Sequence, residues 1–135
     1  MLKIPVFGWI ARGATVIVDR SSRESKQASL TRLKEILSHG ISILLFAEGT
    51  QNRTKEILQP FKDGAFRLAV DTQTSLLPMV VIGAGKLMPP GTINLRPGLI
   101  RIYVGKEIQV DAASDAAQLK QTTFDVMKKM IEENL

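Results

Sequence analysis

A chain of 135 residues is long enough for one domain with a real core, and 44% hydrophobic with 23% charged residues is a globular composition. It contains no cysteine and one histidine, which excludes disulfides, thiolate metal sites and a histidine-based metal cluster. The net charge of +5 is uneven: residues 1–67 hold 11 Lys/Arg against 6 Asp/Glu, and residues 68–135 hold 7 against 7. Such asymmetry suggests an anionic partner, whether a phosphate ligand, an acidic lipid surface or nucleic acid, although a solvated basic face gives the same count.

Residues 3–12 predict a short helix with an apolar surface made by Ile4, Phe7, Trp9 and Ile10, and Pro5 suits its first turn. Beside Lys3 and Arg12, that surface fits either a contact lying on a membrane or a helix covering a sheet. Gly13 ends it, and the β-branched run Ala14–Val18 predicts a strand that closes on Asp19-Arg20. Residues 22–39 have helical periodicity, with Ala28, Leu30, Leu33, Ile36 and Leu37 on one stripe. Gly40 sits where a helix terminates, so His39 reads as a residue of the last turn.

Ile41–Ala47 is an apolar run of the length and composition of a strand buried on both faces, and it stops abruptly at Glu48-Gly49-Thr50. Strand, helix and strand then imply a βαβ unit with a parallel pair. Ligands of open α/β sheets gather beyond the carboxyl ends of strands, which makes Glu48, Gly49 and Thr50 candidate site residues. Gly49 allows close backbone approach, and Thr50 donates to anionic oxygens. The same residues also suit an ordinary polar turn.

Residues 52–59 predict a polar loop, and residues 65–71 a helix with Phe66, Ala69 and Val70 inward. Lys62 and Asp63 lie at its entrance, where free N–H groups favour an anion. Leu76–Ile82 predicts a strand, with Pro78 indicating an edge or an irregular start. Arg96-Pro97-Gly98 between the apolar runs 92–95 and 99–104 predicts a hairpin. Residues 116–135 predict an amphipathic helix using Leu119, Phe124, Val126, Met127, Met130 and Ile131. The longest apolar stretches fall well short of the ~20 residues of a spanning helix, and the N-terminus does not read as a signal peptide.

Three stretches taken in order resemble the glycerolipid acyltransferase family of the 1-acyl-glycerol-3-phosphate (lysophosphatidic acid) type. Gly13-Ala14-Thr15-Val16-Ile17-Val18-Asp19-Arg20 is similar to its second block. Phe46-Ala47-Glu48-Gly49-Thr50-Gln51-Asn52-Arg53, followed by Pro60-Phe61-Lys62-Asp63-Gly64-Ala65-Phe66, is similar to its third. Leu77-Pro78-Met79-Val80-Val81 is similar to its fourth. The resemblance spans about residues 3–110. It implies a single, partial, N-terminally truncated domain with the α/β fold of glycerol-3-phosphate acyltransferases, a largely parallel central sheet flanked by helices.

The implied activity is acyl transfer from acyl-CoA or acyl carrier protein to a lysophospholipid acceptor in phospholipid biosynthesis, yielding phosphatidic acid. No bound cofactor is expected. The implied phosphate-binding residues are Arg20, Glu48, Gly49, Thr50, Arg53 and Lys62; arginine suits phosphate because its fork donates two parallel bonds. The resemblance also implies association with an anionic membrane surface, at the cytoplasmic face, and no nucleic-acid partner. Aromatic content of 5% agrees on the last point.

Two departures bear on the acceptor: Ala47 stands where the family usually has Pro, and Gln51 where it usually has Arg. The family's first block, His-x4-Asp, supplies the general base on the acceptor hydroxyl. The single histidine is His39, and the residue five positions on is Leu44, so no catalytic residue of that kind is present in these 135 residues. The chain alone is therefore expected to be inactive and to lack an upstream part. A non-catalytic module binding anionic lipid or phosphometabolites is the alternative.

Overall fold

The protein was described in a computed structural model, which covers residues 23–52, 54, 56–89, 91 and 96–135. The expected helix at 3–12 and strand at 14–18, and with them Arg20, lie outside the described residues, as do Arg53 and residues 92–95. Two compact units share the chain, Met1–Ile43 and Leu44–Leu135.

In the first unit, helix α1 (Arg23–Ser38) follows the predicted periodicity, with Leu33 buried and Ile36 and Leu37 half-buried. Its end is set by Gly40, whose φ of 73° is in the left-handed region. Gly40 N–H then donates to Leu37 O (2.9 Å) and Ile41 N–H to Ile36 O (3.3 Å), the two bonds of a Schellman ending. Ring nitrogen Nδ1 of His39 lies 2.7 Å from Glu35 O, and since a carbonyl only accepts, the ring donates. His39 is thus occupied with the helix end, as its position in the sequence suggests.

The second unit contains α2 (Gly64–Thr72), β1 (Met79–Ile82), the one-turn α3 (Ala84–Leu87), β2 (Arg101–Val104) and α4 (Ala116–Glu132). The apolar residues of α2 and α4 meet in its core. Phe61, Phe66, Ala69, Val110 and Leu119 form the buried cluster, against which Leu58, Leu76, Ile108, Phe124 and Met127 pack. Phe61 is central: its ring stacks on Phe66 at 6.0 Å and meets Phe124 edge-on at 5.1 Å, both favourable arrangements of aromatic quadrupoles. Helix α4 starts where Asp115 caps it, its carboxylate accepting from Gln118 N–H at 2.8 Å. Thr123, although polar, is buried on the same face because its hydroxyl donates back to Leu119 O at 2.8 Å.

The ladder found among the described residues is antiparallel, β1 with β2, pairing Met79 with Val104 and Ile82 with Arg101. Gly105 N–H to Pro78 O and the isolated bridge Leu76–Ile108 extend the pairing before Met79. Pro78 accordingly precedes the strand rather than interrupting it, since it has no N–H to give a ladder. Alternation turns Val80 inward, toward the side on which α4 packs, and leaves Val81, Ile102 and Val104 exposed.

Two expectations are met only in part by the described residues. Of the hairpin expected between 92–95 and 99–104, the first arm lies outside the described residues; in the second, 101–104 pair with β1 and 99–100 are in no strand, and Arg96 N–H donates to Leu87 O. Pro-Gly is compatible with many turns and does not by itself name the partner of the strand that follows. The run 41–47, expected as a parallel strand buried on both faces, is in no ladder with a described residue, and its expected partner, 14–18, lies outside them. Leu44 is 72% and Phe46 79% exposed. An apolar run of seven residues specifies that burial is favourable, but burial itself requires neighbouring strands and covering helices supplied by other parts of a fold.

Candidate functional site

The segment that ends the apolar run is a loop within 47–62, described except at 53 and 55, whose two ends are held together. Phe46 O accepts from Gly49 N–H at 2.9 Å, so the chain reverses through Ala47 and Glu48. Gly49 has a φ of 72°, which a side chain would oppose. Across the base of the loop, Lys62 N–H donates to Ala47 O at 2.8 Å. One step further in, Gln59 N–H donates to Glu48 Oε2 at 2.9 Å, and Gln59 Nε2 donates to Gln51 O at 3.1 Å.

The sequence explains this closure. Gln59 precedes Pro60, which keeps it extended, and proline leaves no amide of its own to satisfy at the turn-in. Phe61 then drops into the core, so the chain on both sides of Pro60 is fixed by burial. The tip of the loop is braced by Asn52. Its Oδ1 accepts from Thr54 N–H (2.9 Å) and Thr54 Oγ1 (2.8 Å), while its Nδ2 donates to Glu56 O (3.0 Å). Thr54 Oγ1 in turn accepts from Glu56 N–H at 3.2 Å. These are the self-contained turns that Asn and Thr side chains form with nearby backbone.

Of the residues expected to bind phosphate, Glu48, Gly49, Thr50 and Lys62 are brought to this one loop base. Thr50 and Lys62 are exposed, and Glu48 and Gly49 are half-buried. Arg20 and Arg53 lie outside the described residues. The carboxylate of Glu48 is engaged by a backbone amide rather than by a described arginine, so its observed work is to hold the loop shut. Gln59 does not stand out in the sequence, and Asn52 does so only as a member of the third block, with no role implied. Asn52-x-Thr54 and a polar residue just before Pro60 were the available signals.

Beside the loop, Asp63 opens α2 without a side-chain cap, because its carboxylate instead accepts from Lys120 Nζ of α4 at 2.6 Å. The hydrogen bond from Lys120, and then its charge, hold Asp63 below the usual carboxylate range; Arg67 and Lys62 add smaller contributions. Asp63 stays ionised, paired with Lys120 and within electrostatic reach of Lys62. The loop base therefore presents an exposed hydroxyl at Thr50, an exposed cation at Lys62, and a backbone fixed by three cross-loop bonds. That combination is suited to an anionic oxygen cluster.

The family model described as Acyltransferase matches residues 1–82. A chloroplast 1-acyl-sn-glycerol-3-phosphate acyltransferase of Brassica napus is 34% identical over 122 residues, which are 87% of this chain and 35% of that protein. A protein of the same name from Chlamydomonas reinhardtii is 33% identical over 121 residues, 85% of this chain and 36% of its own. The crystal structure of the 1-acyl-sn-glycerophosphate acyltransferase PlsC of Thermotoga maritima superposes with a TM-score of 0.82 at 27% identity, over 98% of this chain and 52% of that one. The chain thus spans about a third of the length of the curated relatives it matches. The matched range 1–82 contains the whole closed loop and β1, and ends before β2 and α4.

Proposed function

The chain belongs to the acyltransferase family, and from that premise we propose that it carries the acceptor-phosphate-binding part of an enzyme transferring an acyl group from acyl-CoA or acyl carrier protein to a lysophosphatidic acid-like glycerol phosphate. The observation that carries this reading is the closed loop 47–62, which sets Thr50 and Lys62 at one base inside the range shared with the family. In this reading Lys62, with Arg20 and Arg53, supplies charge to the acceptor phosphate, and Thr50 and the Gly49 backbone donate hydrogen bonds. The thioester donor needs no bound cofactor. An anionic membrane surface delivers the lysophospholipid, and the parallel sheet implied by the strand-helix-strand order belongs to the same proposal.

The test is a binding titration of the 135-residue chain with 1-oleoyl lysophosphatidic acid and, as its phosphate-free counterpart, 1-oleoyl glycerol. Charge-assisted hydrogen bonds of ~1.5–3 kcal/mol predict a preference of about tenfold or more for the phosphate-bearing lipid, reduced in Lys62→Ala and Arg53→Ala. Equal affinity for both lipids, or none for either, refutes the reading.

A second reading is a non-catalytic module binding anionic lipid through the same basic loop, in which His39, bonded to its own helix end, plays no part. The genomic frame upstream of Met1 separates the two. A His-x4-Asp segment there supports the enzyme, and its absence supports the module.

A further inference from the structure

We infer that Gln59 is a positioning residue for acceptor phosphate binding, clamping the chain on both sides of Thr50. Gln59 supplies two of the three bonds that cross the loop base. Its backbone N–H goes to the Glu48 carboxylate, two residues before Thr50, and its side-chain amide to the carbonyl of Gln51, one residue after. The third, Lys62 N–H to Ala47 O, is made by the strand of chain that Gln59 begins. The contacts reach across eleven and eight residues of sequence, so they register the two arms of the loop against each other rather than shaping one local turn.

The side-chain bond has only one chemically sensible form. Gln51 O accepts and has no proton to give, so the Nε2 end of the amide faces it. Only a side chain of glutamine's reach that also donates fits this geometry. The residue does not touch a ligand in this arrangement; it acts through Thr50 and Lys62, whose exposed groups it keeps in one register. Preorganisation of that kind raises affinity by removing the ordering that binding otherwise has to impose.

This inference rests on the phosphate-binding reading above, and the experiment separates the two. Gln59→Ala removes the side-chain donor, and Gln59→Glu keeps the size and the backbone N–H while replacing the donor by an oxygen that repels Gln51 O. Binding of 1-oleoyl lysophosphatidic acid and of 1-oleoyl glycerol is measured for wild type and both variants. Hydrogen exchange of the amides of residues 49–56 and thermal unfolding are recorded on the same samples.

The expected result is faster exchange in the loop, unchanged unfolding of the core, and affinity for the phosphate-bearing lipid about fivefold or more weaker, with any binding of 1-oleoyl glycerol unaltered. Wild-type phosphate selectivity that survives in both variants overturns the role of Gln59 and leaves the phosphate-binding reading standing. Equal weakening toward both lipids also overturns it, since a general loss of structure has no phosphate selectivity. A wild type without phosphate selectivity overturns the reading itself and the inference with it.

Discussion

At the scale of single residues, the second unit uses its polar side chains mainly to fasten one segment to another. Glu48 receives Gln59 N–H, Asn52 organises the loop tip, and Asp63 joins the start of α2 to Lys120 of α4. The Asp63–Lys120 pair has a defined pH signature. A carboxylate whose folded pKa is depressed adds stability above its unfolded pKa and loses that contribution as pH falls through the folded value. Asp63→Asn is therefore expected to flatten the acid limb of the stability profile below about pH 4. At neutral pH it should cost little, because the pair is exposed and screened by solvent and salt. Thermal midpoints of both proteins between acid and neutral pH check this. An unchanged acid limb would show that Asp63 does not contribute to it.

At the scale of elements, helix ends are set by local chemistry and can be tested locally. Helix α4 packs on α2 and β1 through the face carrying Leu119 and Phe124, and Asp115 satisfies its first-turn amide at Gln118. Asp115→Ala is expected to destabilise the second unit by about 0.5–2 kcal/mol, with Asp115→Asn restoring most of it. Urea unfolding should show a lower midpoint at unchanged slope. The helices were legible in the sequence for the same reason that they are locally testable. The stripe from Leu30 to Leu37 and Gly40 bounded α1, and Phe66, Ala69 and Val70 lay inside the observed α2. The strands were legible as segments, 76–82 containing β1 and 99–104 containing β2, but their pairing was not. Arg101–Val104 has the composition of a strand, but its partner β1 lies some twenty residues upstream, beyond what a Pro-Gly signal encodes.

At the scale of the whole molecule, apolar surface is left open where a buried strand was expected. Leu44 and Phe46 are more exposed than polar Glu48, contrary to the ordinary cost of hydrating large side chains. The 135-residue chain is expected to self-associate with rising concentration, and Leu44→Ser with Phe46→Ser to suppress this with little effect on the thermal midpoint. Light scattering on both proteins measures it; association that persists in the double variant places the sticky surface elsewhere. Among the described residues, no helix is long and apolar enough to cross a membrane.

Taken by itself, the sequence determined what depends on neighbours a few residues away: the periodic faces of the three longer helices, the glycine ending at Gly40, the abrupt polar turn at Glu48-Gly49-Thr50, and the ordered blocks that marked the family. Only the tertiary structure decided what depends on distant chain. It paired Arg101–Val104 with Met79–Ile82, left Leu44 and Phe46 exposed, and closed residues 47–62 through Gln59. The physical reason is the range of the interactions. A helix satisfies its backbone within four residues, so its pattern is written locally. A strand and a closed loop satisfy theirs against remote partners, whose identity appears only once the chain has packed.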